Sequence, residues 1–155
     1  MSKNLSAGIL LYRFKSTGLE ILLVHPGGPY FRNKDTGAWT VPKGLFEEGE
    51  EPLQAAVREF EEELGQPLLA SQFTELTPVK QKGGKTVMVW AAEGDIDTST
   101  VRSNTFKMEY PYKSGKWIEV PEIDRAEWFP PQEALKKINP AQADLITELM
   151  QKVNG

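Results

Sequence analysis

The stretch GLFEEGEEPLQAAVREFEEELGQ, residues 44–66, sets the reading of the whole chain. Between Pro52 and Leu64 the apolar residues Leu53, Ala56, Val57, Phe60 and Leu64 recur at steps of three and four, which predicts a helix with one buried stripe. Pro52 suits the first helical position and Gly65 the stop. The rest of the stretch is acidic: Glu47, Glu48, Glu50, Glu51, Glu59, Glu61, Glu62 and Glu63, opposed only by Arg58. At about 100° per residue, Glu59, Glu62 and Glu63 share a face next to the apolar stripe, while Glu61 points elsewhere, toward water. An acidic run is most often a solvated face. Here, however, like charges three and four residues apart each cost roughly 0.2–0.5 kcal/mol, and acid in the last turn opposes the helix dipole. A cluster so placed needs cations.

Working outward, residues 9–12 and 20–24 read as strands around a turn at Ser16-Thr17-Gly18. Residues 25–37, opening with His25-Pro26-Gly27-Gly28-Pro29, hold too much Gly and Pro for regular structure and form a long loop of the kind that serves a site. Residues 39–41 read as a short strand ended by Pro42-Lys43-Gly44. Downstream, 73–76 and 86–92 are predicted strands with Lys82-Gly83-Gly84-Lys85 as the turn between them, 105–112 an extended lid or strand, and 117–120 and 126–129 short strands. Residues 132–138 form a short helix. Asn139 caps a last one, opened by Pro140, whose buried stripe is Leu145, Ile146, Leu149, Met150 and Val153. With no repeat and no linker, residues 1–155 are expected to be one domain of mixed α/β class.

Composition narrows the chemistry. Eighteen Lys and Arg against 22 Asp and Glu leave a net charge of −4, which gives no general attraction to nucleic-acid backbones or anionic lipid. Phosphate handling must therefore be local, with no stable nucleic-acid complex and no membrane partner expected. The absence of cysteine excludes disulfides, thiolate catalysis and Cys-ligated zinc, and fits a cytoplasmic protein. No targeting segment is read at the start of the chain. Three carboxylates on rigid backbone, with only one histidine in the chain, make a hard oxygen-ligand site that favours Mg²⁺ or Mn²⁺. Such ions are usually completed by substrate phosphates and water.

Gly44, five residues, Glu50, seven residues, then Arg58-Glu59-Phe60-Glu61-Glu62-Glu63-Leu64-Gly65 resembles the Nudix box, the signature of hydrolases acting on nucleoside diphosphates linked to another moiety. The resemblance departs at the last box position, normally aliphatic, which is Gln66; a local change of packing is expected there. It implies an α/β/α sandwich around a mixed central sheet, with the catalytic helix in the box (44–66). It also implies that Glu59, Glu62 and Glu63 bind Mg²⁺, with Mn²⁺ as the alternative, beside Gly44, whose missing side chain lets backbone approach metal and diphosphate. Arg58 is expected to pair with Glu50 and orient the acidic face. Lys43 is a candidate phosphate contact.

The implied reaction is attack of water at phosphorus. Members of the family often add a loop carboxylate just before a strand carrying Glu-Trp. Pro121-Glu122-Ile123-Asp124-Arg125-Ala126-Glu127-Trp128 has that look, making Glu122 a candidate ligand or general base, with Glu62 as its rival. Tyr30, Phe31, Tyr110 and Trp128 are candidate stacking platforms for a base; Tyr112 is a further aromatic of the lid. Arg32, Lys34 and Lys107 are candidates for distal phosphates, and His25 reads as a structural hydrogen-bonding residue. Trp39-Thr40-Val41-Pro42-Lys43-Gly44 is similar to the entry common in dinucleoside polyphosphate and diphosphoinositol phosphate hydrolases, and the whole chain resembles a bacterial group of predicted NTP pyrophosphohydrolases. The expected substrate is a small nucleotide, a nucleoside triphosphate or dinucleoside polyphosphate. ADP-ribose or a nucleotide sugar is the enzymatic alternative, and a Nudix-fold sensor without turnover the non-enzymatic one.

Overall fold

In the computed structural model, which describes residues 5–154, the two apolar runs at the start become β1 (Leu5–Lys15) and β2 (Gly18–Pro26), an antiparallel pair with Tyr12 opposite Ile21. β1 organises the sheet. Over residues 5–12 it runs parallel to β6 (Thr86–Glu93), and over residues 6–8 it pairs with β3 (Lys43–Leu45). β4 (Thr74–Glu75) and β5 (Val79–Lys80) add to β6, and β9 (Ile123–Phe129) adds to β2, giving a mixed sheet of seven strands. β7 (Thr105–Glu109) and β8 (Trp117–Pro121) form a separate two-stranded hairpin.

Side-chain alternation along the strands sets the layers. Ala7, Ile9 and Leu11 of β1, with Leu22 and Val24 of β2, pack beneath α1 (Pro52–Leu64) through Ala56 and Phe60. Leu10, Ile21 and Leu23 face the other way, against Ala134 of α2 (Pro131–Lys137) and Leu145, Ile146 and Leu149 of α3 (Ala143–Asn154). The expected α/β/α sandwich is thus the observed one. α1 begins and ends where the pattern placed it, with Pro52 in its first turn and Gly65 left-handed at φ 68°, its N–H donating to Glu61 O at 2.8 Å. Gly65 is required twice over, because a Cβ there would also run into the carbonyl of Arg102. Asn139 caps the last helical segment, its Oδ1 accepting from Ala141 N.

Three local expectations are corrected. Pro42-Lys43-Gly44 is expected to end a strand, but Lys43–Leu45 is itself one, because residues 6–8 of β1 offer backbone groups that need partners. Residues 39–41 make only isolated bridges, Thr40 to Val24 and Trp39 to Ile138. Glu61 does not face water freely: its Oε2 accepts from Leu68 N at 2.9 Å, holding the chain as it leaves α1. Among the described residues no helix is long and apolar enough to cross a membrane.

Candidate active site

The site grows from the contact between β3 and α1. A Cβ placed on Gly44 would lie 2.7 Å from Glu59 Cγ and closer still to its carboxylate, so only glycine lets this side chain lie across the strand. Arg58 binds Glu50 and Glu59 at 3.2 Å each, the first being the expected pair. The three helix glutamates are graded: Glu62 is exposed, Glu59 half-buried, and Glu63 only 7% exposed. Glu63 follows Ala56 by seven residues and Phe60 by three, which turns it under the helix toward the sheet.

Electrostatics follow from that grading. Burial, reinforced by the charges of Glu122 and Glu59 and only partly offset by Lys43, pushes the Glu63 carboxyl up to about 8. Burial raises Glu59 as well, with Glu62 adding and Arg58 opposing, and burial with Glu62 raises Glu122. Lys43 is lowered by burial against the pull of Glu63. Lys43 and Glu63 therefore both move toward neutrality, since desolvation outweighs their attraction. Among the described residues no three acidic or imidazole groups form a ready cage for a metal ion. The donor chemistry nonetheless fits a hard divalent cation, because four carboxylates that act on one another, Glu59, Glu62, Glu63 and Glu122, are what such an ion neutralises.

Of these four, Glu63 and Glu122 open into a cavity of about 740 Å³, ample for a nucleotide, while Glu59 and Glu62 stand outside its lining. Of the expected residues, Lys43, Glu63, Glu122 and Phe31 line it. Leu45, Lys85 and Phe106 line it too, and sequence reasoning missed them. The signals were present but weak: Lys85 closes the Gly-Gly turn, and Phe106 stands in the segment read as a lid or strand.

Other candidates lie elsewhere. Trp128 is corrected from platform to packing residue: on β9 it turns toward the α1 face and is covered by Arg13, whose guanidinium sits 4.0 Å above its ring. Tyr30 and Tyr110 meet edge to face at 5.5 Å, joining the Gly-Pro loop to the hairpin without lining the cavity. Arg32 and Lys34 line a different groove, with Trp39 and Arg125. Lys107 stands opposite Glu119 on the hairpin. His25 is fully buried between Asp124 (2.9 Å) and the carbonyl of Lys34 (2.7 Å), a structural tie from loop to β9. Gln66, the departure from the box, stitches the end of α1 to Asp97 and Thr100, accepting from Asp97 N and donating to Asp97 O and Thr100 Oγ1.

The NUDIX domain family matches residues 2–149. The chain belongs to this family. Among curated Nudix relatives, an asymmetrical bis(5'-nucleosyl)-tetraphosphatase of Rattus norvegicus is 31% identical over 128 residues, 77% of this chain and 78% of that protein. The same enzyme of Sus scrofa is 28% identical over 144 residues, 84% and 88%. A crystal structure of a C. elegans Ap4A hydrolase binary complex superposes with a TM-score of 0.69 at 23% identity, covering 97% of this chain and 98% of that one. The Nudix domain of Shewanella oneidensis NrtR complexed with ADP ribose superposes at 0.63 with 14% identity, covering 99% and 90%. The last two show the shared fold. The expectation of a Nudix pyrophosphohydrolase holds at this level, and hydrolases of this family generally use a divalent metal.

Proposed function

We propose that this Nudix protein hydrolyses a dinucleoside polyphosphate or nucleoside triphosphate, cleaving a phosphoanhydride by water attack at phosphorus. The observation that carries the proposal is the convergence, in one cavity, of Glu63, Glu122 and Lys43 with the aromatic ring of Phe31. The curated relatives, both asymmetrical dinucleoside tetraphosphatases, favour the first substrate class. Glu59, Glu62 and Glu63 beside Gly44 would hold Mg²⁺, or Mn²⁺, which when bound would neutralise charge on the phosphate oxygens and lower the proton affinity of water.

The chain's own groups do the rest. Lys43 and Lys85 meet the phosphate oxygens, and Phe31 gives the base an apolar face. Glu122, held above the ordinary carboxylate range by burial and Glu62, takes the proton of the attacking water. A new P–O bond forms to that water as the bridging P–O bond breaks, its electron pair leaving on the departing phosphate. Arg58, bonded to Glu50 and Glu59, keeps the acidic face in register. Product analysis in water enriched in heavy oxygen, over a panel of diadenosine tetraphosphate, ATP and ADP-ribose, tests the reading. One labelled nucleotide product per turnover is expected, and Glu62→Gln is expected to be slow. Equal rates for the variant and the unaltered protein would overturn it.

A further inference from the structure

The catalytic cavity has a neighbour. A second cleft of about 510 Å³ lies between the Lys82–Gly84 turn and the Asn139–Ala141 corner, and Lys85 lines both spaces. The wall between them is one hydrogen-bonded unit centred on Gln142, which is only 1% exposed. Val41 N–H donates to Gln142 Oε1 at 3.1 Å, which fixes the orientation of the amide. Its Nε2 must then donate, to Gln81 Oε1 at 2.6 Å and to Thr40 Oγ1 at 2.9 Å. Thr40 faces the catalytic cavity and Gln81 the second cleft.

This network decides what the second cleft presents. With its oxygen occupied by Gln142, Gln81 has its NH2 group left as a donor. Asn139 is in the same condition, because its Oδ1 caps Ala141 N. Lys82 and Lys85 supply two ammonium groups, and among the described residues no acidic one lines the cleft, in a chain whose net charge is −4. Gly37, Pro140 and Ala141 provide apolar surface beside these donors. A pocket of donors with an apolar flank suits a ligand that is anionic, rich in acceptors and carries a flat apolar part.

We propose that this cleft binds the distal nucleotide of a dinucleoside polyphosphate, with the phosphate chain crossing at Lys85 and the second nucleoside lying between Gln81 and Asn139. The inference rests on the dinucleoside reading of the preceding subsection, but its test does not require turnover. Affinities are measured by calorimetry for methylene-bridged, hydrolysis-resistant analogues of ATP, adenosine tetraphosphate and diadenosine tetraphosphate. The diadenosine compound is expected to bind at least about tenfold more tightly than either of the others. Lys82→Glu, on an exposed turn, and Ala141→Trp, which fills the cleft, are expected to erase that advantage while leaving the ATP analogue within about twofold. Three results overturn the inference: equal affinity for all three compounds, adenosine tetraphosphate matching the diadenosine compound, or variants that weaken every ligand alike. Failure of the proposed reaction is read separately, as the absence of labelled product from the unaltered protein.

Discussion

Gln142 and Glu63 are both polar and both buried, one behind the wall of the proposed catalytic cavity and one in it, yet the protein completes one and leaves the other incomplete. Gln142 has Val41, Thr40 and Gln81 around it, so its amide oxygen accepts and its nitrogen donates without any help from solvent. Glu63 faces Glu59 and Glu122, with a half-buried Lys43 offsetting them only in part, and its carboxyl holds a proton up to about pH 8. A buried amide with its bonds made fixes structure. A buried acid among other acids stores a repulsion that a visiting cation relieves. The first is a joint in the scaffold and the second is a place prepared for chemistry.

The sharpest way to break this contrast is Glu63→Gln. Activity is expected to fall by roughly 10² or more, since a proposed ligand of the ion is lost, while the metal-free protein should melt at a higher temperature than its parent. Lower activity together with lower metal-free stability would make Glu63 a structural residue.

A pH titration of stability gives the next largest effect. With the folded value of Glu63 near 8 and the ordinary value at 4.5, the unfolded chain releases its proton first. Stability is therefore fully present below pH 4.5 and declines as pH rises toward 8, by on the order of 4 kcal/mol if no ion binds. Magnesium should flatten the decline, because binding displaces the proton, and Glu63→Gln should abolish it. Urea melts at pH 5 and pH 8, with and without the ion, measure both arms.

Gln142→Leu probes the completed partner. It strands the N–H of Val41 in the interior, and unfolding free energy should drop by about 1–3 kcal/mol with no dependence on magnesium. The smallest effect is expected from Trp128→Phe. Because Trp128 lies under Arg13 and outside the cavity, KM should stay within about twofold, and a tenfold rise would return it to the binding surface.

Much of this was legible in the residues. The three- and four-residue spacing from Leu53 to Leu64 fixed α1 to its ends, because one apolar stripe admits one register. Pairing of Arg58 with Glu50 followed from the box. The grading of the glutamates did not follow: the helical wheel sets Glu59, Glu62 and Glu63 on one face, whereas Glu63, seven residues after Ala56, is turned beneath the helix. Its proton affinity was out of reach of the sequence as well, because it depends on Glu122, which arrives from the bend between β8 and β9 some sixty residues later. Strand β3 escaped for the same reason. Three residues after a proline carry no periodic signal, and only the open backbone of β1 makes them a strand. The aromatics were the hardest to place. Nothing local distinguishes Phe106, which lines the cavity, from Trp128, which a guanidinium covers.

The β7–β8 hairpin has its own ladder, separate from the seven-stranded sheet, and leans on the Gly-Pro loop through Tyr30 and Tyr110. Phe106 reaches the cavity from it. Changes in this flap's length or sequence therefore alter one wall of the cavity without disturbing α1, which carries Glu59, Glu62 and Glu63. In protein-engineering terms it is an interchangeable part, and grafting a different hairpin between Asn104 and Glu122 is the natural route to retargeting the enzyme.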